Sequence, residues 1–158
     1  MTLNGHHRKV TFVEFNPVAE LIAASASAFA FIRLFISSDG TCKVWDCKLG
    51  DEVGTFDCKA LPQDLHWNYS GNLFCVSTKD KMNRIFDPRE NRVAGEWSAH
   101  DGTKCAKMVW LGDSPRVITT GFNRGSQREY KMWDLRSLRK PICGEALDQV
   151  CESDVFYS

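Results

Sequence analysis

"GTCKVWD", residues 40–46, reads as a turn glycine followed by a short strand that closes on a Trp-Asp pair. Threonine, valine and tryptophan suit a pleated, half-buried surface, whereas glycine is turn punctuation. The same ending returns in "MNRIFD" (82–87) and "EYKMWD" (129–134). Trp45–Asp46 is followed after 41 residues by Phe86–Asp87, and that pair after 47 residues by Trp133–Asp134. A small residue plus histidine, Gly5–His6 and Ala99–His100, opens the first and third of these stretches. Between them lie "KVTFVEF", "ELIAASAS", "GNLFCVST" and "PRVITTG", separated by the turn signals "NP", "SSDG", "YSG", "DPREN" and "GDSP". Nothing sustains a helical apolar period beyond a turn or two, so the chain reads as all-β.

A His, a hairpin and a strand ending in Trp-Asp, repeated every 40–45 residues, is the WD40 signature, each unit being one four-stranded propeller blade. The sequence therefore predicts a partial WD40 β-propeller of about three blades with the ring not closed. The expected blades are 3–46, 54–89 and 95–136, with 137–158 as the start of a truncated next one. Stacking neighbours is what buries both faces of such a sheet, so three blades leave their outer faces open. The signature residues form a hydrogen-bonded chain in that pattern, because a buried imidazole and indole N–H need partners. Candidates are His6, Ser25 or Ser27, Asp39 and Trp45 in the first repeat, and His100, Thr119 and Trp133 in the third. The second repeat lacks the His and the third lacks the turn Asp.

One stretch does not fit the repeat. Between "AASAS" and "GTCKVWD" runs the apolar segment Ala28–Ile36, broken only by Arg33. Excising Phe29–Ser38 leaves "ELIAASASADGTCKVWD", an ordinary hairpin. Three readings compete: a ribbon extension of the hairpin, a docking element, or an insertion specific to this product, such as translated intron. The sequence favours the last, with 29–38 an insert rather than a blade strand.

Composition sets the broad class. Of the 158 residues 43% are hydrophobic and 25% charged, both ordinary for a globular chain, and formal net charge is zero. No overall field draws the chain to nucleic acid or anionic lipid. Charge is unevenly spread, since residues 79–140 carry 14 basic and 8 acidic side chains. Seven cysteines without a CxxC pair suit free thiols in a reducing compartment. No signal-peptide pattern opens the sequence, and the apolar run is far shorter than the roughly 20 residues of a membrane helix. The expectation is a cytoplasmic protein without an integral membrane segment.

Beyond the generic repeat, "LHWNYSGNLFCVSTKDKMNRIFDPRENR" resembles a coronin blade, with its WN…G.L…KDK..R..DPR pattern. "SAHDGTKCAKMVW" and "VITTGFNRGSQREYKMWDLRSLRKP" resemble the next coronin blade, and "LNGHHRKVTFVEFNP" with "IAASAS…DGTCKVWD" the one before. "IFDPR", "TTGFN" and "ALDQ" lean towards the long coronins with two propellers in tandem. The resemblance implies a seven-bladed propeller, cytoskeletal association, and actin filaments or other cytoskeletal or trafficking proteins as partners. A Golgi or endosomal membrane-traffic role is the alternative. A further alternative is a truncated product without independent activity, because the remaining blades and the coiled coil of short coronins have no counterpart here.

Candidate partner contacts follow from charge and loop position. Lys79, Lys81, Arg84 and Arg89 flank the KDK turn and can meet an acidic filament surface, although the same cluster also reads as a hairpin turn in which Asp80 binds local backbone and Arg89 pairs with Asp87. Arg124 and Arg128 sit in the long loop "FNRGSQRE", where Ser126 has a basic setting. His6, His7, His66 and His100 show no metal-ligand spacing with one another or with cysteines. No phosphate-binding glycine loop or nucleophile elbow appears. The reading is a non-catalytic binding module without cofactor or metal.

Overall fold

The computed structural model describes residues 9–18, 32–46, 49–102 and 104–147. Its twelve described strands form three four-stranded antiparallel sheets, each strand hydrogen-bonded to the next in sequence. The first comprises β1 (Val10–Phe15), β2 (Ile32–Ser37), β3 (Thr41–Asp46) and β4 (Asp51–Asp57). The second comprises β5 (Pro62–Trp67), β6 (Phe74–Thr78), β7 (Met82–Asp87) and β8 (Arg92–Ser98). The third comprises β9 (Lys107–Trp110), β10 (Arg116–Phe122), β11 (Arg128–Asp134) and β12 (Cys143–Ala146). The chain is all-β and has the architecture of a partial propeller whose ring is open.

The sheets correct the sequence reading in two places. Ile32–Ser37 is not an insert outside the blade. It is the second strand, pairing Val13 with Phe35 on one side and Leu34 with Val44 on the other. Isoleucine, leucine and phenylalanine have higher strand propensity than the Ala-Ser run upstream. β1 and β3 each need a partner for one row of backbone groups, and this segment supplies both rows. The "ELIAASAS" strand expected at 20–27, together with His6, Ser27 and Phe29–Phe31, lies outside the described residues. The second correction concerns boundaries: each sheet takes as its fourth strand the stretch after the aromatic–Asp pair. β4 thus starts before residue 54 and closes the first sheet, and β12 closes the third sheet instead of opening a next blade.

Turn geometry repeats between sheets. In the β2–β3 turn Gly40 takes φ +86° and donates to the Ser37 carbonyl at 3.3 Å, while Asp39 Oδ1 accepts from Thr41 N at 3.0 Å. The β6–β7 turn is built the same way, with Lys81 at φ +70° donating to the Thr78 carbonyl at 3.0 Å and Asp80 Oδ1 accepting from Met82 N at 3.2 Å. Both are three-residue hairpin loops with a left-handed third residue.

Two apolar seams join the sheets. Cys42, Val44, Phe56 and Cys58 of the first meet Leu65, Trp67, Phe74, Val76 and Phe86 of the second. There Phe56 meets Phe74 edge-on at 5.2 Å between centroids, and Phe74 stacks on Phe86 at 5.1 Å. The second seam sets Cys75, Ile85, Trp97 and Ala99 against Met108, Val117 and Trp133. Alternation along β10, where Val117, Thr119 and Gly121 are buried, points one face of the third sheet into this seam.

Candidate interaction face and the networks behind it

In an antiparallel sheet, the end where one strand finishes is where the next begins. The β4–β5, β6–β7 and β8–β9 connections therefore emerge on one rim of the molecule, and the β10–β11 loop shares that rim through β9. This rim carries Lys59, Lys79, Lys81, Lys104 and Arg124, with Arg128 at the start of β11. Asp101 ties it together: its carbonyl accepts from Lys81 Nζ at 2.6 Å, and its carboxylate lies 3.2 Å from Arg124 Nε. Lys104 Nζ sits 4.6 Å from the Phe122 ring centroid and the Arg128 guanidinium 6.0 Å from it. Lys79, Lys81, His100 and Lys104 border one narrow cleft. Cys105, Phe122, Arg128 and Leu147 line a shallow groove of about 350 Å³ beside it.

Four of the six expected contact residues, Lys79, Lys81, Arg124 and Arg128, are thus brought to one region. Two are not. Arg84 is 2% exposed and points inward. Its Nη1 donates to Thr78 Oγ1 at 2.6 Å, and its Nη2 reaches Asp80 Oδ2 at 2.7 Å and Glu96 Oε1 at 3.1 Å. Lys59 completes the chain, 3.0 Å from the other Glu96 oxygen. Burial pushes the Asp80 carboxyl up, but hydrogen bonds from Arg84, Thr78 and Met82 outweigh it and hold the group below its usual range. Arg84 is therefore an inward-facing member of the second sheet's polar network, and it is not a surface contact. Arg89 lies at the opposite rim, in the β7–β8 turn, 3.7 Å from Asp87.

The third repeat's network is present. His100 Nε2 lies 2.9 Å from Thr119 Oγ1, which also accepts from Trp133 Nε1 at 2.9 Å. The missing turn Asp is replaced by Glu129 of β11, 2.8 Å from His100 Nδ1 and 2.8 Å from Lys131 Nζ. Lys131 also donates to the Ala99 carbonyl at 2.9 Å. Burial lowers the His100 pKa, favouring the neutral ring. Gly121 is required here, because a Cβ would stand 2.5 Å from His100 Cγ. In the first repeat Trp45 is buried and Asp39 holds its turn.

A third network lies on the inner strands and was missed in sequence, where His66 had been weighed only as a metal ligand. His66 of β5 stands 3.5 Å from Glu14 of β1 and 3.5 Å from Asp64, and Asp64 accepts from Lys107 Nζ and Met108 N of β9, each at 3.0 Å. Hydrogen bonds to Asp64 and Glu14 raise the His66 pKa to about 9, so the ring is cationic at neutral pH. One charge chain thereby crosses all three sheets, beside a recess of about 540 Å³ lined by Phe12, Val13, Val109 and Ile118. Among the described residues no group of three or more His, Cys, Asp or Glu side chains is placed to hold a metal ion, and no helix is long and apolar enough to cross a membrane.

Three stacked four-stranded antiparallel sheets with a His–Thr–Trp chain define a WD40-repeat protein-interaction fold, and the model of the WD domain, G-beta repeat, matches residues 1–46. Coronins are among the relatives of this WD40-repeat chain. It is 34% identical over 90% of its length to the coronin-like protein crn1 of Schizosaccharomyces pombe and 35% identical over 90% to the coronin-like protein of Saccharomyces cerevisiae. It is 30% identical over 88% of its length to human coronin-7. The chain spans 22%, 20% and 14% of these three relatives respectively. The WD40 domain of Toxoplasma gondii coronin superposes with a TM-score of 0.81 at 31% identity, covering 92% of this chain and 36% of that one. The structure of U3-55K shares the fold alone, at TM-score 0.71 and 10% identity.

Proposed function

We propose that the chain is an interaction module that docks an acidic protein surface on the basic rim, and that its partner is the actin filament. The observation that carries this reading is the meeting of Lys81 and Arg124 on Asp101, with Lys79 and Lys104 bordering the same cleft as Lys81 and with Arg128 beside Phe122. Coronin resemblance supplies the filament as partner, and the rim supplies complementary charge and a salt-sensitive means of holding it. Recognition is by loop surface, with Phe122 offering an apolar contact between two cations. Arg84 and Glu129 contribute by fixing the loops, not by touching the ligand.

The test is co-sedimentation of the 158-residue chain with actin filaments across a salt series. A Lys79→Glu/Lys81→Glu variant and an Arg124→Glu/Arg128→Glu variant are each expected to lose about tenfold or more in affinity, with a shallower salt dependence. Both variants should keep the parent's urea unfolding midpoint. Equal binding by all three proteins would overturn the assignment. Co-isolation with membrane-coat components in place of filaments would move the module to the trafficking role.

A further inference from the structure

Cys42 and Cys58 sit in the seam between the first two sheets, both fully buried, with sulfurs 3.1 Å apart. Cys42 is paired across the sheet with Phe56, and Cys58 follows two residues later on the same face. Directly opposite Cys58 is Gly40, whose carbonyl accepts from Cys58 N at 3.0 Å. A disulfide needs sulfurs about 2.05 Å apart, so roughly one more ångström of approach separates this contact from a bond.

We propose that Cys42 and Cys58 form a redox latch, a dithiol that closes to a disulfide and locks β3 to the exit of β4 at the first inter-sheet seam. The oxidant class is a low-molecular-weight disulfide. In the first step the thiolate of one cysteine attacks a sulfur of oxidised glutathione, forming a mixed disulfide and releasing one glutathione thiolate. The second cysteine's thiolate then attacks the protein sulfur of that mixed disulfide, closing Sγ–Sγ and releasing the second glutathione thiolate. The two protons lost by the protein thiols go to the two released thiolates. The pair loses two electrons, and one glutathione disulfide becomes two thiols.

The burial that places the sulfurs together also gates the reaction. Desolvation raises the Cys42 thiol well above its ordinary value, and a tripeptide disulfide has no path into the packed seam. Exchange therefore runs through openings that part Phe56 from Phe74 and Phe86. Once formed, the bond is shut away from reductants, so the latch sets and releases slowly. It closes a loop between residues 16 apart. Chain entropy for a loop of about 15 residues raises the folding equilibrium constant roughly a hundredfold.

The 158-residue chain is incubated with oxidised glutathione, with and without sub-denaturing urea, then alkylated, digested and mapped by mass spectrometry. Peptides joined through Cys42 and Cys58, two hydrogens lighter than the separate pair, are expected, forming faster in urea. The oxidised protein should unfold at a higher urea midpoint than the reduced one, and dithiothreitol should reverse both changes. Cys42→Ser/Cys58→Ser should show neither. Should that variant not fold, Cys105→Ser/Cys143→Ser, which leaves the pair intact, must still form the bond. Glutathione left on Cys42 or Cys58, linkage of either to another cysteine, both remaining free in urea, or a lowered midpoint on oxidation would each overturn the latch.

Discussion

Replacing Arg84 with methionine separates a structural from a binding role for the most basic-looking stretch of the chain. Arg84 is 2% exposed, whereas its partners Asp80 and Glu96 keep side-chain exposures of 34% and 30%. Removing one member of a fully buried ion pair costs about 3–5 kcal/mol. Here the orphaned carboxylates are partly solvated, and each keeps another partner, Met82 N for Asp80 and Lys59 for Glu96. Screening therefore trims the loss, and the methionine retains much of the arginine's apolar stem contact. The expected net cost is about 2–3 kcal/mol, or about 1–2 M in urea midpoint at the usual slopes. The assay is equilibrium urea unfolding followed by tryptophan fluorescence, repeated in a Glu96→Gln background, where the cost should shrink by about 1 kcal/mol because the pair is coupled. An unchanged midpoint, together with lost filament binding, would refute the reasoning and return Arg84 to the surface.

Three further outcomes are expected. His66 is raised from its unfolded value of 6.5 to about 9, so its contribution is complete below pH 6.5 and fades as pH climbs through 9. With the ring 40% exposed, solvent screening leaves about 1 kcal/mol, and His66→Gln should flatten the fall in urea midpoint between those limits. Gly121→Ala places a methyl 2.5 Å from a histidine ring held at both nitrogens, and should cost about 1–3 kcal/mol in the same unfolding assay. Amides of Ile32–Ser37 should show hydrogen-exchange protection like those of β3, and exchange at free-peptide rates would remove this segment from the sheet.

The repeat was readable because its cues are local: an aromatic–Asp ending, a turn residue with left-handed backbone, and strands too short and too aromatic for helices. Lys79 and Lys81, and separately Arg124 and Arg128, were readable as turn or loop residues for the same reason, but that the two connections share one rim follows only from the sheet topology. Arg84 was misread because the KDK..R spacing advertises charge without showing which way a strand residue faces. Its inward direction follows from pairing with Asp80 and Glu96, the second of which is brought in by β8. Glu129 was overlooked as the stand-in for the absent turn Asp, since only the β10–β11 pairing carries it beside His100. The second strand of the first sheet was misassigned because two successive segments can each form a strand. "AASAS" matched the repeat spacing, while "IRLFIS" had the stronger propensity, and the choice rests on which of them β1 and β3 take up.

The networks and the rim are mechanically joined, which sets how binding should respond to damage elsewhere. Asp101, the residue that gathers Lys81 and Arg124, follows directly on His100, and the preceding Ala99 carbonyl is held by Lys131. Fixing His100 between Glu129 and Thr119 therefore fixes the loop on which the basic groups converge. Glu129 is strained between two demands, because burial raises its pKa while bonds from Lys131 and His100 more than offset that and keep it ionised. Removing its charge with Glu129→Gln leaves every rim cation in place, yet loosens the anchor beneath them. Filament affinity should then fall along with the urea midpoint, whereas Lys79→Glu/Lys81→Glu lowers affinity alone. A Glu129→Gln protein that loses stability but binds as tightly as its parent would show that the rim does not depend on the loop's anchor.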